Sequence, residues 1–254
     1  MAAEPIALQL YTVRDLAKAD FLGTLQKLAD AGYTAVEFAG YWGAPAKELR
    51  TALDGMGIRG MGAHTAYALF DTEMERTLET LNVIGCEYAT VPWLEPAQRP
   101  TTADAARALA ETLNAWGEAT RAAGIRLGYH NHDFEFARVG DSTVYDLLAE
   151  RTDPGLVDLQ LDVYWAQVVG GDPAELISRY PNRMPLLHVK DVAADNKTDA
   201  PFGEGIVDWA RVLSVARKNG TRWWIVEQDT PADPIADVTR SLNNLKAALA
   251  RLEA

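Results

Sequence analysis

The sequence predicts an α/β fold, a single (β/α)8 barrel running over residues 1–254, on three observations. Short β-rich runs alternate with longer segments whose apolar residues fall three or four apart. About eight such units fit into about 250 residues, which is the size and rhythm of a closed eight-stranded barrel. Gly32, Gly57, Gly85, Gly124 and Gly220 stand just past the helical segments and just before the strands. A left-handed helix C-cap needs a residue without Cβ at that place.

The strands are expected at 6–13, 35–38, 58–64, 88–92, 125–132, 157–162, 185–189 and 223–227. Several are continuously apolar, as parallel strands covered on both faces should be. The first helix carries Phe21, Leu22, Leu25 and Leu28 on one face, with Asp20 placed to cap it. Leu49, Leu53 and Met56 mark the second helix, and Met74, Leu78, Leu81 and Ile84 the third. Leu109, Leu113 and Trp116 mark the fourth, and Tyr145 and Leu148 the fifth. Leu176, Ile177 and Tyr180 belong to the sixth, and Trp209, Val212, Leu213 and Ala216 to the seventh. Leu242, Leu245, Leu249 and Leu252 form the last. A doubly wound open sheet is the rival architecture. It usually has a Gly-rich phosphate turn after its first strand, where this chain has Leu10-Tyr11-Thr12-Val13-Arg14-Asp15.

Composition narrows the function classes. The chain is 48% hydrophobic, too apolar to stay disordered. Cys86 is its one cysteine, so neither an internal disulfide nor a Cys-based zinc site can form. No stretch approaches the roughly 18 uninterrupted apolar residues of a membrane span. The opening Met1-Ala2-Ala3-Glu4-Pro5 lacks the basic-then-apolar form of a signal peptide, which makes the cytoplasm the expected compartment. A net charge of −12 repels phosphate backbones, so no nucleic-acid partner is expected.

In such a barrel the active site lies at the C-terminal ends of the strands. The four histidines fall there: His64 on the third strand, His130 and His132 on the fifth, His188 on the seventh. Glu37, Asp162 and Glu227 share that placement on the second, sixth and eighth. Burying so many imidazoles and carboxylates together is costly without a counter-ion. Lys190 is the positive charge nearby, and a divalent cation would resolve the rest. Asp162, His188 and Glu227 end different strands and can point at one ion, with a fourth ligand expected from the fifth strand. His130 and Glu135 are both candidates for it. Mixed oxygen and imidazole ligation suits Mn2+, Mg2+, Co2+ or Zn2+, with Mn2+ put first.

At these residues the chain resembles the xylose-isomerase-like TIM-barrel superfamily of sugar phosphate isomerases and epimerases, nearly end to end. Within it the chain is similar to the branch of inosose dehydratases and 3-keto-glycoside-processing enzymes. The resemblance rests on Tyr129-His130-Asn131-His132-Asp133-Phe134-Glu135-Phe136, Leu161-Asp162-Val163-Tyr164-Trp165 and His188-Val189-Lys190-Asp191. Gly203-Glu204-Gly205, Asp208-Trp209 and Val226-Glu227 complete it. It implies a Glu–Asp–His–Glu metal site, matched by Asp162, His188 and Glu227. The first glutamate is replaced by His130, so either His130 coordinates in its place or Glu135 swings in. The set carried forward is His130, Asp162, His188 and Glu227.

The implied chemistry is proton transfer on carbon next to a carbonyl, through an enediolate-like intermediate. A metal would stabilise the oxyanion, and a base must lie within hydrogen-bond reach of the carbon. His132, His64 and Glu37 are rim residues not needed as ligands and are the candidate acids and bases, joined by Glu227. Lys190, Glu135, Trp42, Trp93 and Glu204 are the candidate contacts to a sugar or keto-sugar. Relatives that pair or form tetramers imply a homo-oligomer. Elimination on a keto-inositol or 3-keto-glycoside is the alternative outcome at the same site. Two other readings are weaker. An apurinic-site endonuclease would need more histidines, and Trp165 stands three after Asp162 where such enzymes carry one. A non-catalytic sugar-binding barrel would not need the Asp162, His188 and Glu227 set.

Overall fold

The computed structural model describes residues 5–252. Residues 1–4, from which the absence of a leader was expected, lie outside it. The described residues form a closed parallel barrel of eight strands, β1 (Ile6–Gln9), β2 (Ala35–Phe38), β3 (Arg59–His64), β4 (Tyr88–Val91), β5 (Arg126–His130), β6 (Val157–Asp162), β7 (Leu186–Val189) and β8 (Trp223–Val226). Consecutive strands pair, and β8 closes onto β1 through Ile6 opposite Trp224.

The helices form the outer layer. Phe21–Asp30 starts where Asp20 accepts from the Gly23 amide at 2.9 Å, as expected. Gly57 and Gly85 end their helices at φ +69° and +90°, conformations that cost a residue with a Cβ far more. Leu22, expected on the inward face, is 44% exposed. Three short helices that the periodicity did not mark, Arg14–Ala19, Tyr67–Thr72 and Val163–Val168, follow strand ends. They are too short to show a helical period. Two small antiparallel hairpins, Arg138–Val139 with Ser142–Thr143 and Asp191–Val192 with Asp199–Ala200, decorate the C-terminal rim. Among the described residues no helix is long and apolar enough to cross a membrane.

Two strands end two or more residues earlier than expected, and in both a side chain captures a backbone amide just beyond the end. β1 ends at Gln9, whose side chain accepts from Tyr11 N at 3.2 Å and starts the turn Leu10–Val13. β5 ends at His130, because Glu135 accepts from His132 N at 2.7 Å and folds the chain into the turn Phe134–Phe136. His132 therefore sits in the loop and not on the strand.

The barrel interior is separate from the main core. Ala7, Ala35, Met61, Tyr88, Leu186, Trp223 and Ile225 form an isolated buried cluster inside the strands. The alternate strand residues, such as Leu8, Val36, Leu127 and Leu187, pack outward against the helices. Two residues further along the inward face come Gln9, Glu37, Thr90, His188 and Glu227. The register between β2 and β3 shifts at Val36/Glu37, so β3 places Met61 and His64 inside at a spacing of three.

Candidate metal centre and catalytic cavity

The strand ends converge on a buried polar cluster beneath a cavity of about 720 Å³. His130, Asp162, His188 and Glu227 each offer a ligand atom, and these atoms lie within 4.8 Å of one another. Asp162 is fully buried and uses one oxygen to cap the following helix, accepting from Tyr164 N at 2.8 Å. Its other oxygen, Oδ2, has no hydrogen-bond partner. His130 Nε2 and Lys190 Nζ both stand 3.8 Å from it. Burial pushes the Asp162 carboxyl up to about 7.

A second layer fixes the imidazoles. Gln160 donates from Nε2 to Glu37 Oε1 at 2.6 Å, and its Oε1 accepts from His64 Nε2 at 2.7 Å and His130 Nδ1 at 3.0 Å. An amide oxygen only accepts, so His130 carries its proton on Nδ1 and presents the lone pair of Nε2 toward Asp162. His188 donates from Nε2 to Glu37 Oε2 at 2.9 Å and bonds Glu227 Oε2 through Nδ1 at 2.8 Å. Gln9 Nε2 completes the set by donating to Glu37 Oε2 at 2.7 Å. Imidazole, amide and carboxylate thus interlock as supporting groups do around metal-binding histidines.

Charge follows the same partition. Burial pushes Glu37 up, but the imidazoles of His64 and His188 outweigh it and hold the acid below its ordinary range. Burial lowers His188, yet Glu227 and Glu37 outweigh it and raise the imidazole to about 10. Burial and the neighbouring imidazoles push His130 well below its ordinary value. Burial also lowers Lys190, but Glu227, Asp162 and Asp229 outweigh it and keep the amine protonated. Lys190 Nζ is bound to Asp229 Oδ2 at 2.6 Å and lies 4.9 Å from the centre of the Tyr164 ring. An unpaired buried carboxylate oxygen, a neutral imidazole facing it and two further ligands at matching range fit a divalent cation.

The comparisons with known proteins agree with this fold. The profile of the xylose isomerase-like TIM barrel family matches residues 25–248. The chain belongs to that family. This xylose isomerase-like barrel is similar to the inosose dehydratase of Geobacillus kaustophilus, 29% identical over 247 residues, which cover 81% of this chain and 79% of the relative. The inosose dehydratase of Clostridium beijerinckii is 28% identical over 48% of this chain and 47% of its own. Among solved structures, a sugar phosphate isomerase/epimerase from Parabacteroides distasonis superposes with a TM-score of 0.87 at 28% identity, covering 97% of this chain and 95% of that one.

Within this xylose isomerase-like barrel the expected site residues separate into three groups. His64, His130, His132, Lys190, Glu227 and Trp93 line the cavity, with Asp162 and His188 buried behind its floor. Glu37 is close to them but lies beneath, fully buried and absent from the cavity wall, where it holds the imidazoles of His64 and His188. Glu135, Trp42 and Glu204 do not line the cavity. Glu135 is fully buried and accepts from Tyr129 OH and His132 N, both at 2.7 Å, so neither oxygen is free to bind metal or substrate. Trp42 packs on Phe21 and borders an adjoining groove. Glu204 pairs with Arg240 on the exposed side of its loop. Asp191, the residue after Lys190, is fully buried. It accepts from the amides of Gly203, Gly205 and Val207 and from Trp209 Nε1, anchoring that loop.

Sequence reasoning missed Gln9, Gln160, Asp229 and Arg99. Gln9 and Gln160 each lie two residues from an interior position or an expected site residue on the same strand face, and Asp229 lies two residues past Glu227 beyond the end of β8, a step of two that was available as a signal. Arg99 lies on a loop, stacked 4.4 Å from the Trp93 ring centre and 4.0 Å from that of Phe134. No local pattern marks it.

Proposed function

We propose that this protein is a divalent-metal-dependent enzyme that moves a proton on carbon next to the carbonyl of a keto-sugar or keto-cyclitol. The carrying observation is the four-residue donor set with its unpaired Asp162 oxygen, set under a cavity that also holds an unbonded imidazole. His130, Asp162, His188 and Glu227 would hold the cation. Bound there, it would polarise neighbouring carbonyl and hydroxyl oxygens as a Lewis acid.

The chain's own residues supply the rest. Glu37 and Gln160 fix the tautomers and ring planes of His130 and His188. Neither ring nitrogen of His132 has a hydrogen bond, and burial pushes this imidazole down to about 3. A neutral imidazole at the cavity wall can take a proton from carbon. Glu227 and His64, which also line the cavity, are the candidates to return it. Lys190, protonated between Asp229 and Asp162, faces the same space and can donate to a substrate oxygen.

Return of the proton to carbon gives isomerisation or epimerisation. Loss of a neighbouring hydroxyl as water gives a dehydratase, and the similarity to an inosose dehydratase over 81% of the chain favours this second outcome as a specific reading. The test has two parts. Elemental analysis of the purified protein should find about one transition metal per chain, lost in the alanine variants of Asp162, His188 and Glu227. Metal retained in all three overturns the site. Incubation with keto-inositol, 3-keto-glucosides and free ketoses in D2O should then place solvent deuterium on carbon. Exchange alone identifies an epimerase, an unsaturated product a dehydratase, and no exchange with any of them overturns the reaction class.

A further inference from the structure

Asp162 Oδ2, His132 Nδ1 and Trp165 Nε1 are among the buried polar atoms without a partner. A cation would account for the first. The other two belong to rings that face each other across 5.4 Å, tilted by 45°. Buried polar groups in folded proteins are nearly always bonded, so an orphan pair in a cavity wall calls for a partner from the bound molecule.

Trp165 is held in place. Its backbone amide donates to Asp162 Oδ1 at 3.4 Å, its ring stands edge-on to Tyr164 at 4.9 Å, and Lys190 Nζ lies 5.4 Å from its centre. An indole N–H can only donate, so it requires an acceptor. Nδ1 of the imidazole that the indole faces accepts or donates according to tautomer. A hydroxyl oxygen satisfies both at once, accepting from the indole N–H and from Nδ1–H, which leaves the lone pair of the imidazole on Nε2. An anionic group is a poorer match. Glu227, Asp229 and Asp133 line the same cavity, Lys190 is bonded to Asp229, and Arg99 is stacked against Trp93 and Phe134.

We propose that Trp165 is a specificity-determining residue that donates its indole N–H to a hydroxyl of the substrate, with His132 Nδ1 as the second partner of that hydroxyl. The inference rests on the keto-sugar reading and sharpens it: the substrate is a polyhydroxylated ring with an intact hydroxyl outside the oxygens that a cation would hold. A site built around a hydrogen bond to a hydroxyl rejects the analogue that lacks it.

The metal-loaded protein, labelled with 15N at its tryptophan indoles, is titrated with myo-inositol and with each monodeoxy-inositol. The Trp165 resonance is identified by Trp165→Phe and, independently, by its contacts with the Tyr164 ring. A downfield move of that indole proton with myo-inositol, absent with one monodeoxy analogue, is the expected result. In turnover of keto-inositol, W165F should lose roughly tenfold to a hundredfold in kcat/KM, the range of an unpaired buried hydrogen-bonding group. The wild type should reject one monodeoxy keto-inositol that W165F does not distinguish from the parent. Binding reported by other cavity resonances while the Trp165 indole stays unmoved overturns this inference alone. Equal discrimination by W165F and wild type does the same. If no polyol moves any cavity resonance, the keto-sugar reading fails with it. The wild-type titration stands even if W165F does not fold.

Discussion

The two ends of the barrel bore are built by the same strands and obey opposite rules. At the N-terminal end Ala7, Ala35, Leu186 and Ile225 join a dry apolar cluster. One step of two along each strand, Gln9, Glu37, His188 and Glu227 form an interlocked polar layer. A residue at the first level gains from every methylene that it buries. At the second, burial costs free energy until each polar atom is matched, and the match is incomplete at Thr90, Asp162, His132 and Trp165. The bottom of the bore holds the barrel together, whereas the top trades stability for a site.

The largest effect that would sharpen this contrast is Asp162→Asn. The amide oxygen keeps the helix cap and removes the unpaired buried charge. Metal affinity should fall beyond the roughly hundredfold that loss of a supporting residue costs, while the metal-free variant melts at a higher temperature than the metal-free wild type. Calorimetry with and without metal checks both halves. A lower melting temperature would show that the polar layer also supports the fold.

Leu186→Ala probes the other end, two residues from His188 on the same strand. It should cost about 2–5 kcal/mol of stability in denaturant unfolding, with metal content unchanged. Loss of metal at equal occupancy of the folded state would join the two levels into one unit.

Glu37→Gln tests the supporting layer between them. It removes the charge that holds His188 Nε2–H and should weaken metal binding about tenfold to a hundredfold, read by competition with a chelating dye. Affinity unchanged within twofold would make Glu37 a packing residue.

The smallest effect concerns Glu135, a buried carboxyl just off the polar layer. Burial outweighs its two hydrogen bonds and raises it from 4.5 to about 7. Its protonated form is favoured in the folded state, so its stabilising contribution is complete below pH 4.5 and is lost as pH rises through 7. Glu135→Gln can accept from His132 N and donate to the Tyr129 hydroxyl oxygen. It should therefore flatten the stability loss between those values without changing metal content. An unchanged pH profile would place the sensitivity in the layer beneath the cavity.

Much of this arrangement was legible in the sequence, because strand positions have a fixed geometric meaning. The alternation of β-rich and helical segments gave the barrel, and histidines and acids at strand ends gave the convergence of Asp162, His188 and Glu227. Glu37 was legible as a rim residue but not as a supporting one, since its role depends on Gln9 and Gln160 reaching it from other strands. Glu135 was misplaced for a local reason: once it captured the His132 amide, it could no longer reach the site. Trp42 and Glu204 follow loop paths that no periodicity encodes.

By itself the sequence determined what repeats along the chain: element type, the inward face of each strand, and the supply of ligand-type side chains at one rim. Only the tertiary structure decided which buried polar atoms find partners. Partnering is set by distances across strands far apart in sequence, so the unpaired oxygen of Asp162 and the unpaired indole of Trp165 emerge only once the barrel closes.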